Sequence, residues 1–209
     1  MDKFLEVSNH NQFLTEMAKH KMVVKQDEGL YKHLVFAEPG NFELAFEIVS
    51  FPHHVMITGD MGCYCFSREP DMFKWFIKDG VKSIASPEIE VNRWRNKLVS
   101  IDSSMGVVRK STALAIKMIE ENRAFYLKEY PEHADEINEK FDNLLGYEES
   151  GIDILIYEMC YLSLCLGHED EHSPFSDLEI EVLETYTPQF VWCCYALNYG
   201  IGEYFQSKQ

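Results

Sequence analysis

Long apolar runs are missing from this chain. The best candidate, residues 190–197, holds eight apolar residues before Asn198, less than half of the roughly 20 needed to span a bilayer. The opening MDKFLEVSNHNQF has no basic stretch leading into an apolar one, so no secretion signal is expected. The patterns G-x-x-x-x-G-K-[ST], G-x-G-x-x-G and G-x-S-x-G are absent as well. Nucleotide-binding and hydrolase readings therefore lack their usual sequence support, and no cofactor is assigned. No internal repeat or low-complexity linker interrupts the chain, so its parts are expected to share one core.

Positive charge is scarce in one place only. Residues 1–117 hold 15 Asp/Glu and 15 Lys/Arg, whereas residues 118–209 hold 20 Asp/Glu and four Lys/Arg. The second segment thus carries the entire net charge of −16. Such a surface repels DNA and anionic lipid, which excludes direct binding of either by the C-terminal half. The six cysteines (Cys63, Cys65, Cys160, Cys165, Cys193 and Cys194) all sit in apolar stretches. There a free thiol behaves as a small hydrophobe, so a reduced, cytoplasmic protein is expected.

With 46% hydrophobic and 13% aromatic residues, the chain can bury a substantial core. Residues 2–22 read as an opening helix. From Gly29 the period changes: LYKHLVFAE, FELAFEIVSF, HHVMIT and CYCFSR form four short strands joined by tight turns. Turns this short permit only antiparallel pairing. In the second strand, Phe42, Leu44, Phe46 and Ile48 share one face, opposite Glu43 and Glu47. Helices follow: one after Pro70, one from Ser86-Pro87 through EIEVNRWRNKLVSI, one from Val107 to Tyr130, and one over 132–145. An apolar core helix is expected over Ile152–Leu166, another helix from Asp177, and a last one from Pro188. The expected class is α+β. An N-terminal four-stranded antiparallel sheet (β-rich region 1–80, with its helix) packs with a mostly helical, acidic region, 81–209.

Four constellations could carry chemistry. His168-Glu169-Asp170-Glu171-His172 matches H-E-x-x-H, in which two His one helical turn apart bind zinc. Gly167 and Pro174 flank it, so a solvated acidic loop is the expectation. His53, His54, Asp60, Cys63 and Cys65 surround one hairpin and could form a metal or cysteine-nucleophile site. Alternation places both Cys on one face, expected to be the packed one. Arg93, Arg95, Lys97, Arg109, Lys110 and Lys117 surround Trp94, and are read as solvent-facing residues that pair with acids rather than as a nucleic-acid platform. Trp192, Cys193, Cys194, Tyr195 and Tyr199 are read as core or as a homodimer seam, without a ligand.

The acidic helix is the remaining candidate. Glu132, Asp135, Glu136, Glu139 and Asp142 recur at spacings that align several along one face. Such a ridge can imitate a nucleic-acid backbone and occupy a basic groove, and these five residues form the expected partner-binding site. No catalytic residue is assigned.

Two stretches, HLVFAEPGNFELAFEIVSFPHHVMITGDMGCYCFSREPDMFKWF and the closing FVWCCYALNYGIGEY, resemble a group of uncharacterised accessory proteins of tailed phages and prophages. The resemblance covers roughly a third of the chain. It implies phage origin, accessory status, and a role in host takeover or defence evasion. The expected function is accordingly non-enzymatic inhibition of a host nucleic-acid-handling or defence complex, of anti-CRISPR or anti-restriction type. The partner would be a host protein or ribonucleoprotein complex with a basic surface. The alternative is a small metal- or cysteine-dependent enzyme at the His53/His54-Asp60-Cys63 hairpin.

Overall fold

The computed structural model describes residues 10–79, 91–166 and 171–209. The chain forms two compact units, residues 1–108 with 186–209, and residues 109–185. Each has its own hydrophobic cluster. This division differs from the expected 1–80 and 81–209, because the closing helix returns to the sheet.

The first unit is built on one antiparallel meander. Strands β1 (Lys21–Glu28), β2 (Tyr31–Glu38), β3 (Asn41–Phe51), β4 (His54–Gly59), β5 (Gly62–Ser67) and β6 (Leu98–Ser100) lie side by side in that order. The inner four are the expected strands, and two edge strands correct the count to six. The expected opening helix, residues 2–22, overlaps only Lys21 and Met22 of β1, and residues 23–28 carry no sequence expectation. As an edge strand β1 leaves nearly every side chain exposed, so no alternation marks it in the sequence. β6 replaces the end of the helix expected through LVSI. Helix α3 (Val91–Arg95) stops short, and the Ser67 N–H donates to Lys97 O at 2.8 Å. The start of that expected helix and residues 2–9 of the opening one lie outside the described residues.

Alternation holds where both neighbours are strands. Leu34, Phe36, Phe46, Ile48, Val55, Ile57, Tyr64 and Phe66 all point into the core. It fails at the start of β3. Leu44 has φ +56° and donates its N–H to Asp60 Oδ2 at 2.8 Å, and Phe42 is 81% exposed rather than aligned with Phe46. The β4–β5 turn is equally specific: a Cβ on Gly59 would lie 2.2 Å from Ala45 O. Only glycine fits there.

Helix α7 (Pro188–Gln206) is the centre of this unit. Thr187 caps it, its Oγ1 accepting the Phe190 N–H at 3.3 Å, and Pro188 occupies the first turn, where its missing N–H costs nothing. Thirteen of its residues are buried, because neighbours cover it on several sides. Phe190 meets Tyr64 of the sheet at 5.2 Å. Trp192 and Tyr195 meet Phe13 of α1 (His10–Met17) at 5.4 and 5.8 Å. Tyr204 meets Phe73 of α2 (Met72–Asp79) at 5.5 Å. A helix apolar all round belongs in such a place.

The second unit packs α4 (Thr112–Glu129), α5 (Ala134–Leu145) and α6 (Ile152–Tyr161) around Ala115, Ile119, Ile137, Phe141, Leu155 and Met159. The Ser111 hydroxyl caps α4 by accepting the Leu114 N–H. α6 is not the expected all-buried helix. It buries Leu155, Ile156 and Met159 and leaves Ile154, Tyr157 and Tyr161 exposed. It also ends at Tyr161, after which Leu164–Cys165 pairs antiparallel with Glu171–His172. The helix expected from Asp177 is only a 3-10 turn at Ile180–Leu183. No helix among the described residues is long and apolar enough to cross a membrane.

Candidate partner-binding surface

The second unit concentrates the charge further than the sequence halves did. Residues 109–185 hold nineteen Asp/Glu and six Lys/Arg, a net of −13. Four of those cations are already paired inside the unit: Lys110 with Asp153 at 2.6 Å, Lys117 with Glu121 at 3.7 Å, Arg123 with Asp142 at 2.9 Å, and Lys128 with Glu129 at 3.7 Å. Only Arg109 and Lys140 stand outside these pairs, so most of the nineteen carboxylates have no internal counter-charge.

The five expected site residues do not form one uniform ridge. Glu136 turns inward, and its Oε1 accepts the Cys165 N–H at 2.9 Å, tying α5 to the following hairpin. Asp142 is held by Arg123, which also donates to Asn138 Oδ1 from Nε at 3.0 Å. Glu132 and Asp135 stand at the start of α5, where the helix dipole favours negative charge. Among the described residues, Glu132, Asp135 and Glu139 make no ion pair, and all three are exposed. The free part of the ridge is these three.

The hairpin constellation disperses. Strand register sets Cys63 opposite Thr58, Cys65 opposite Met56 and His54 opposite Ser67. The packed face of β5 carries Tyr64 and Phe66, so both cysteines lie on the other face, against expectation. The Asp60 carboxylate is engaged by Leu44, and the His54 ring stacks on Phe51 at 4.7 Å. Burial pushes the Cys65 thiol up, which opposes a nucleophilic role. This geometry does not support an enzyme site there. In the H-E-x-x-H stretch, residues 168–170 lie outside the described residues. Glu171 and His172 are in a strand, and His172 rests against Tyr130 at 5.4 Å. His172 therefore stands on a strand and not on a helix. Among the described residues, no three His, Cys, Asp or Glu side chains are placed to hold a metal ion.

Trp94, the aromatic of the basic stretch, is 2% exposed and packs on Phe76 at 4.5 Å, so it offers no stacking platform. Lys110 and Lys117 pair with acids, as the sequence suggested. The aromatic closing helix is core.

Met118, Glu121 and Asn122 of α4 face the segment Pro174–Val182 across a groove of about 420 Å³. Its signal lies in Asp177-Leu178-Glu179-Ile180-Glu181-Val182, where acids alternate with apolar residues. No family model, curated protein or solved structure matches the chain.

Proposed function

We propose that this chain is a phage-encoded, non-enzymatic binding protein that inhibits a host nucleic-acid-handling or defence complex. Its acidic helical unit occupies the basic surface that the complex uses for nucleic acid. The observation that carries the reading is the excess of carboxylate in residues 109–185, where net −13 remains and four of six cations are already internally paired. Exposed like charges three or four residues apart each cost a few tenths of a kcal/mol in the free protein. A cationic partner removes that cost and speeds encounter through long-range attraction. The phage resemblance supports the choice of a host complex as partner.

The residues that carry the resemblance have structural jobs. Gly59 and Asp60 shape the β4–β5 turn, and the closing stretch is the core helix. The binding surface therefore falls outside the two stretches, on the unit between them.

The test is the triple substitution Glu132→Lys, Asp135→Lys and Glu139→Lys, which spares the internally bonded Glu136 and Asp142. Immobilised wild-type protein should retain a basic host complex from lysate at low salt and release it steeply as salt rises. The variant, folded by circular dichroism, should lose that retention. Equal retention by the variant at low salt refutes the reading.

A further inference from the structure

The groove between α4 and residues 174–182 combines volume, apolar walls and charge of one sign. Met118, Phe175, Leu178 and Val182 supply apolar walls, with Phe175 4% exposed and Val182 39% exposed. Among the described residues its charged lining is Glu121, Asp177 and Glu179, with no Lys, Arg or His. Glu121 is shared with Lys117 at 3.7 Å, so Asp177 and Glu179 carry the uncompensated charge. The groove holds about 420 Å³ and is open to solvent, room for one extended side chain rather than an enclosed ligand.

An open groove with apolar patches (Met118, Leu178 and Val182) beside carboxylates suits a side chain with an aliphatic stem and a cationic head. The stem covers the walls while the head stays at the rim. A guanidinium fits better than an ammonium, because its planar fork can bridge two carboxylates and it is more weakly hydrated. Nucleic acid is disfavoured by the same carboxylates.

We propose that this groove seats an arginine side chain from a basic segment of the partner protein, anchoring a complex that the acidic surface attracts. The proposal rests on the binding reading above and names the contact that gives it position. The exposed ridge on α5 steers by charge at a distance, whereas the groove holds one residue by shape.

The test uses the full chain and a short arginine–alanine peptide as probe, titrated by calorimetry at low and moderate salt. Two groove variants are compared with wild type. The pair Asp177→Asn with Glu179→Gln removes the rim charge at constant size. Val182→Trp fills the channel at constant charge. Each should weaken peptide binding about tenfold or more, with urea midpoints confirming the fold, and a citrulline-substituted peptide should not bind. The Glu132, Asp135 and Glu139 reversal should instead produce a loss that shrinks as salt rises. If that reversal abolishes binding while both groove variants bind normally, the groove proposal falls and the acidic-surface reading stands. If wild type binds no arginine peptide, the groove proposal falls alone, provided the basic host complex is still retained. Loss of both signals overturns both. Spermidine binding as tightly as the peptide, with the same sensitivity to Val182→Trp, would show a site for small polyamines and overturn the assignment to a protein side chain.

Discussion

Gly200 is where α7 comes closest to the sheet, and replacing it tests how the core is set. A Cβ at this position would lie 2.5 Å from Ile48 Cδ1 and 3.0 and 3.1 Å from two atoms of the Phe36 ring. Both neighbours are buried, and the Phe36 ring is stacked on Phe46 at 4.6 Å with 4° between planes. The ring has little room to retreat. Ile48 Cδ1 is the tip of a buried side chain, so it must turn within a packed core to make room. Overpacking of this kind costs about 1–3 kcal/mol, while exchanging glycine for alanine inside a helix returns about 1 kcal/mol. The net effect of Gly200→Ala on the first unit should therefore be a destabilisation of up to about 2 kcal/mol. Trp75, Trp94 and Trp192 all belong to that unit, so tryptophan fluorescence in urea reports it selectively. At a slope of about 2 kcal/mol/M, the midpoint should fall by up to roughly 1 M. Ile48→Val removes the clashing methyl. Alone it should cost about 1 kcal/mol, but in the Gly200→Ala background it should cost less, a coupling of about 1 kcal/mol. A stabilising Gly200→Ala, or a strictly additive double variant, would show that α7 is not seated this closely.

Two further outcomes follow from the first unit and from the cysteines. Tyr204 donates its hydroxyl to Asp27 at 2.8 Å, and burial together with that carboxylate pushes the phenol up to about 12. A raised value stabilises the protonated form, so this contribution is complete below about pH 10 and is lost as pH rises towards 12. Asp27 is held below the usual carboxylate range, by Lys208 first and Tyr204 next. Its contribution is present above that range and fades as pH falls through its lowered value. Tyr204→Phe should cost about 1 kcal/mol at neutral pH and remove the Tyr204 share of the alkaline loss; equal alkaline slopes in urea melts would contradict this. All six cysteines are free, with Cys160 and Cys165 exposed and Cys193 and Cys194 buried, their thiols pushed up by burial. A thiol reagent at pH 8 should label Cys160 and Cys165 quickly and reach Cys193 and Cys194 only after unfolding; prompt labelling of all six would contradict the core.

The four inner strands were legible because each has a strand on both sides and one buried face, which writes a period of two into β2, β4, β5 and the second half of β3. α7 was legible as a helix from Pro188 and its apolar density, and α5 from its amphipathic spacing. Local pattern determines these elements without help from the rest of the chain. The edges were not legible: β1 has no second neighbour to impose alternation, and β6 is strand only because Ser67 bonds to the backbone at Lys97. Nor could pattern say which apolar helix is central. Residues 152–161 and 188–206 are similarly apolar, and only tertiary contacts decide that the second is enclosed by sheet and helices while the first leaves Tyr157 and Tyr161 in solvent. The same holds for function. The sequence alone determined how much negative charge the chain carries and that it lies late in the chain. Which carboxylates remain free was decided by folding, since Glu136 and Asp142 are drawn into internal bonds by partners 29 and 19 residues away in sequence. Folding also brings Glu121 together with Asp177 and Glu179 around one groove, because charge is a property of composition and its availability is a property of who sits beside it.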